Sequence, residues 1–250
     1  MPLTEFQDNP IYLGCLSALF FSFFIWSILD FLSKTKQRQR NLESLAAQMG
    51  FEYFRSKWEF ERSGLELPGL LRPRRRQKNL FGLGPSWGCQ NILKGLENGR
   101  EALYLERIYS EPEGGTETVA LYSQKGAGLP YFELVPLRLF DKFHRLLELD
   151  ISEIFRGPKM KRMELLGLPD FQRPRHHLWG VEGQEEAYKS FFSRDFLEYL
   201  LQFPSWRLKG QGDWIMILEE NYPVPPGKMP EFADQTAKAA SMIFPNVYSS

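Results

Sequence analysis

The 250-residue chain holds two cysteines and three histidines, and each shortage removes a class of chemistry. Cys15 and Cys89 cannot build a disulfide framework or a multi-cysteine metal site, which fits a reducing compartment. Lipid attachment at Cys15 is not expected, because Tyr12 stands where a lipoprotein signal has leucine and the apolar run follows the cysteine. His176 and His177 are neighbours, so on a strand they face opposite sides and cannot chelate one ion. His144 has Glu148 four residues on, which suits a surface pair on a helix over 139–149. No metal and no cofactor are expected. Net charge is missing as well: 31 bases and 31 acids cancel, leaving no electrostatic reason to expect nucleic acid.

Catalytic signatures are equally scarce. No G-x-S-x-G elbow occurs, and Cys89 has no histidine near it in sequence to act as a base. The stretch FGLGPSWGCQN spaces Gly82, Gly84 and Gly88 one residue too widely for a dinucleotide fingerprint, and no Lys-Ser/Thr pair follows. Glu185-Glu186 and Glu219-Glu220 read as a helix start and a strand end, not as an acid/base pair. The expectation is a protein that is not an enzyme.

What the chain does have is one long apolar run. Residues 11–29 carry no charge, and at a helical rise of 1.5 Å they reach roughly 28 Å, close to the hydrocarbon thickness of a bilayer. The approach to it carries Glu5 and Asp8 where a secretory signal would carry bases, so retention as an anchor is expected over cleavage. Tyr12 and Trp26 suit the two interfaces, and Asp30 stands four residues before Lys34, close enough to pair with it. Gly14, Ala18 and Ser22 recur every four residues as a stripe of small side chains on which another membrane helix could pack.

Positive charge is concentrated in two runs without acids: Lys34, Lys36, Arg38 and Arg40, then Arg72, Arg74, Arg75, Arg76 and Lys78. The remaining 22 bases face all 31 acids. Both runs could touch anionic lipid headgroups or an acidic partner. The first also predicts, by the positive-inside rule, an N-terminus outside and the bulk of the chain in the cytoplasm, anchored in the inner membrane by one span.

The expected organisation is a short extracytoplasmic tail (1–10), a transmembrane helix (11–33), a basic juxtamembrane segment (34–41) and a cytoplasmic domain (42–250), with a division of the last into 42–150 and 170–250 left open. Leu42, Leu45, Ala46 and Met49 share a helical face that stops at Gly50. Asn98-Gly99 between two strand-like runs predicts a tight hairpin, and ETVALYS (117–123) and YFELVPL (131–137) extend it into a four-strand antiparallel meander. HHLWGVE reads as a strand, 184–203 as one helix stopped by Pro204, WRLKG and DWIMILEE as a hairpin around 210–212, and 228–244 as a closing helix. The fold class is therefore α+β, an antiparallel sheet covered by helices behind a membrane helix.

LAAQMGFEYF, NILKGLENGREALYLERIY, TVALYS, LPYFELVP and the late GDWIMI, in this order, resemble a family of bacterial membrane-anchored proteins of uncharacterised function. That resemblance implies a single anchored α+β domain and transfers no active-site residue. Two functional expectations stand side by side. One is a non-catalytic accessory subunit of an integral-membrane complex, docked through its helix on other integral-membrane subunits. The alternative is a stand-alone anchored domain that binds a small ligand or anionic lipid.

Overall fold

A computed structural model describes residues 10–71, 87–109, 115–136, 160–163, 176–219 and 222–244. The chain divides into two compact units, Met1–Leu45 and Ala46–Ser250. The first is the greater part of a 40-residue helix, α1 (Pro10–Met49). This helix stops where Gly50 was expected to stop it. The Phe51 N–H donates to the Ala46 carbonyl at 2.8 Å and the Gly50 N–H to that of Ala47 at 3.3 Å, which satisfies carbonyls the last turn leaves open.

In the second unit, nine strands form one antiparallel sheet among the described residues: β1 (Glu52–Ser56), β2 (Trp87–Glu97), β3 (Arg100–Tyr109), β4 (Gly115–Ser123), β5 (Leu129–Pro136), β6 (Met160–Met163), β7 (His176–Val181), β8 (Trp206–Gly212) and β9 (Trp214–Glu219). Their order across the sheet is β1-β2-β3-β4-β9-β8-β5-β7-β6. The helices are α2 (Lys57–Arg62), α3 (Glu185–Phe191), α4 (Arg194–Leu200) and α5 (Met229–Ile243). The α+β antiparallel class is as expected, and so is the tight turn: Asn98 and Gly99 both have positive φ, at 51° and 75°.

Three details differ from the sequence reading. The fourth strand of the expected meander is not next to the third, because the β9–β8 hairpin lies between β4 and β5. A strand's hydrophobic pattern says that it pairs but not with which neighbour, so chain order misled here. The hairpin itself turns at Gly212-Asp213, with Gln211 opposite Trp214, one to two residues later than expected. The helix over 184–203 is two: Phe192 leaves helical geometry, and Ser193 starts α4 by accepting from the Phe196 N–H at 3.2 Å. Serine competes for backbone donors better at a helix start than inside one. The break brings the Phe192 ring edge-on to Phe132 at 4.9 Å and stacks it on Phe196 at 5.7 Å.

Both faces of the sheet centre are covered, which is why β4 reads as a continuous buried run and not an alternation. One face packs Leu103, Leu105, Val119, Leu121, Met216 and Leu218 against Phe60 of α2 and Leu70 and Leu71 of the following short turn. The opposite face carries Tyr104, Tyr122, Leu208 and Phe132 beneath α3, α4 and α5, whose Ala233, Thr236, Ala237 and Ala240 are buried. Phe51 stacks on Tyr104 at 5.8 Å, and Gly95 makes this approach possible: any Cβ there would fall on the Phe51 ring.

Candidate functional site

The membrane-directed feature is α1. From Leu16 onward it is long and apolar enough to cross a membrane once, and none of its most apolar window is buried in the structure. Leu19, Phe20, Phe23, Trp26, Leu29 and Phe31 all stand exposed. Soluble surfaces rarely present so continuous an apolar patch, and this helix fits single-pass membrane attachment. At its charged end the Lys34 ammonium pairs with the Asp30 carboxylate at 2.7 Å, the (i, i+4) contact that their spacing predicted. The Thr35 hydroxyl donates to the Phe31 carbonyl at 2.9 Å.

The residues singled out in the sequence fall into three groups. Gly14, Ala18 and Ser22 all lie in α1, and Ala18 and Ser22 are exposed. Lys34, Lys36 and Arg40 are exposed on the same helix and Arg38 is half-buried. The second basic run, Arg72, Arg74, Arg75, Arg76 and Lys78, lies outside the described residues, as do His144 and the 139–149 helix.

Comparison with known proteins adds one solved structure. The chain is similar to the crystal structure of the mycobacterial trehalose monomycolate transport factor A, TtfA, with a TM-score of 0.47 and 14% identity over 83% of this chain and 97% of that one. No protein-family model and no curated protein matches the chain.

Inside the second unit, the sheet carries two clusters of ionisable groups that the sequence reading missed. On the face shared with α2, the carboxylate of Glu133 on β5 is the hub of the first. The Lys209 ammonium reaches its Oε1 at 2.6 Å, an Arg207 nitrogen its Oε2 at 3.4 Å, and the Tyr131 hydroxyl donates to Oε1 at 3.3 Å. Glu133 and Lys209 sit directly opposite each other across the β5–β8 pairing. Burial, with Arg207 and then Arg107 nearby, pulls the Lys209 amine down to about 8, and Glu133 opposes that shift. On the same face the Arg107 guanidinium holds buried Glu117 through Nε at 2.5 Å and through a second nitrogen.

The second cluster lies under α5. The Tyr104 hydroxyl donates to Glu97 Oε2, and the Tyr122 hydroxyl lies 2.5 Å from that of Tyr104 and 2.8 Å from Thr236 Oγ1. Burial raises the Glu97 carboxyl above its usual range; its two tyrosine bonds oppose the rise and Asp234 adds to it. Burial is also the main reason that both tyrosines are raised. A third polar knot, at the β2 bulge, holds Asn91 at φ 52°: its amide nitrogen donates to Glu106 at 2.6 Å and its oxygen accepts from Tyr53 at 2.7 Å.

These groups bind one another. Cys89 is buried on β2 with its thiol pushed up to about 12 by burial, which leaves almost no thiolate to act as a nucleophile near neutrality. Among the described residues no three of His, Cys, Asp and Glu come together as a metal site. A signal for the first cluster was present in the sequence: Arg207 and Lys209 alternate with apolar residues in WRLKG, and Glu133 is the lone acid of YFELVPL. Charges at one parity of two strands share a face if the strands pair, and the missing information was that β5 and β8 do.

Proposed function

We propose that this protein is a non-catalytic accessory subunit of an integral-membrane complex, held to its partner through α1 and carrying its folded domain on the cytoplasmic side. The observation that carries the reading is the exposed apolar length of α1 with its four-residue repeat of small side chains. Among apolar lipid tails a helix gains nothing by hiding hydrophobic surface, so association depends on close backbone packing, which Gly14, Ala18 and Ser22 would permit on one side. The bases that follow the span support the cytoplasmic orientation. The mutual pairing of buried charges and the inert thiol of Cys89 support a structural use of the domain.

The test is extraction of the tagged full chain from its native membrane in mild detergent. The chain is expected to bring defined integral-membrane proteins with it. Gly14→Leu together with Ala18→Leu should reduce that recovery several-fold while membrane insertion, read by alkaline extraction, stays complete. Recovery as a lone monomer, or assembly indifferent to the double substitution, would count against the reading.

A further inference from the structure

We infer that the turns of α1 just beyond the apolar span form a collar for anionic lipid headgroups, built from Lys34, Lys36 and Arg40. The inference rests on α1 crossing the membrane, but not on the identity of any protein partner. After Leu32, the last large apolar residue of the exposed run, these three bases follow at two, four and eight residues, or roughly 3, 6 and 12 Å along the helix. The headgroup layer on each side of a bilayer is about 5–8 Å deep, and lysine and arginine stems reach back several ångströms toward it. All three side chains are exposed, and no acid occurs from Phe31 to Leu42.

Their distribution around the helix favours lipid over a protein. At about 100° per residue, Lys36 and Arg40 lie on one side and Lys34 on nearly the opposite one. An acidic protein docked on one side could meet only part of this set. Headgroups can gather along every exposed side of the helix, and Lys34, Lys36 and Arg40 all lie on exposed sides. Asp30 does not cancel the collar: its 2.7 Å bond draws the Lys34 ammonium back toward the membrane edge and leaves Lys36 and Arg40 uncompensated by it. The chemistry recognised is the net negative charge of an anionic glycerophospholipid, whose phosphate no headgroup ammonium offsets, in the leaflet on the domain's side.

The test reconstitutes the purified full chain in vesicles of phosphatidylcholine containing about one-fifth phosphatidylglycerol, with spin-labelled probes of each lipid. The motionally restricted fraction is then compared between the two probes. A preference of about twofold to fivefold for the anionic probe is expected, weakening as salt shortens the Debye length from about 10 Å at 0.1 M to about 3 Å at 1 M. Lys34→Gln, Lys36→Gln and Arg40→Gln combined should remove the preference, whereas Lys125→Gln with Lys228→Gln should leave it. Helix content and insertion serve as the folding check for each variant. Equal restriction of both probes, or a preference that survives the triple substitution, overturns the inference. So does a triple variant whose lipid profile is unchanged but which loses a co-purifying protein, because the collar would then be a protein-docking surface. Partner loss in the Gly14/Ala18 experiment has no bearing on this readout, so the two proposals fail separately.

Discussion

Lys209 shows what a single side chain contributes when its neighbours are both friendly and hostile. Glu133 stabilises its charge at 2.6 Å, yet burial beside Arg207 outweighs that and brings the amine down from 10.5 to about 8. The sign follows from proton counting. Between pH 8 and 10.5 the unfolded chain holds a proton on this amine that the folded chain has lost, so stability rises with pH across that window. Below pH 8 both states are protonated and the full cost of the buried charge remains. Lys209→Met removes this titration and leaves Glu133 its contact with Arg207. Urea midpoints measured from pH 7.5 to 10 should therefore show the wild type gaining on the variant as pH rises. Parallel curves would mean that the amine keeps an ordinary value in the folded protein.

At the scale of elements, the sequence was most informative where one residue imposes a backbone geometry. Gly50 ends α1, Asn98-Gly99 turns β2 into β3, and apolar periodicity marks α5. It was least informative where two local choices cost nearly the same. Nothing in 184–203 forces a break, but Ser193 can cap a new helix as readily as it can sit inside one, and packing of Phe192 on Phe132 decides. The ionic clusters were hidden for a related reason, since their parity is local but the pairing of β5 with β8 spans the chain. Within the second unit, Phe51 makes a further contact of this kind, lying over Gly95 on Tyr104. Gly95→Ala would place a methyl on that ring, with Phe51 unable to retreat without giving up its stack. A loss of about 1–3 kcal/mol in unfolding free energy is expected, and a denaturant midpoint equal to wild type would show that Phe51 has room to move.

For the molecule as a whole, the insertion of β9–β8 between β4 and β5 is the consequential feature. It joins early strands to late ones: Ile217 of β9 lies opposite Ala120 on one side and Leu208 on the other, fully buried. Strands β1 to β4 on one side and β5, β7 and β6 on the other thus share one sheet through the hairpin, and neither group can complete its hydrogen bonding without it. Such non-local pairing makes folding depend on loop closure over most of the domain, so partial structures have little to stabilise them. Ile217→Ala removes packing from the middle of this seam and should cost about 2–5 kcal/mol. The more telling outcome is cooperativity. Tryptophan fluorescence and far-ultraviolet circular dichroism should report one coincident urea transition for residues on both sides of the seam, shifted as a unit in the variant. Two separated transitions, with only one moved by Ile217→Ala, would mean that the early and late strands fold independently and that the seam between β4 and β9 is merely a docking contact.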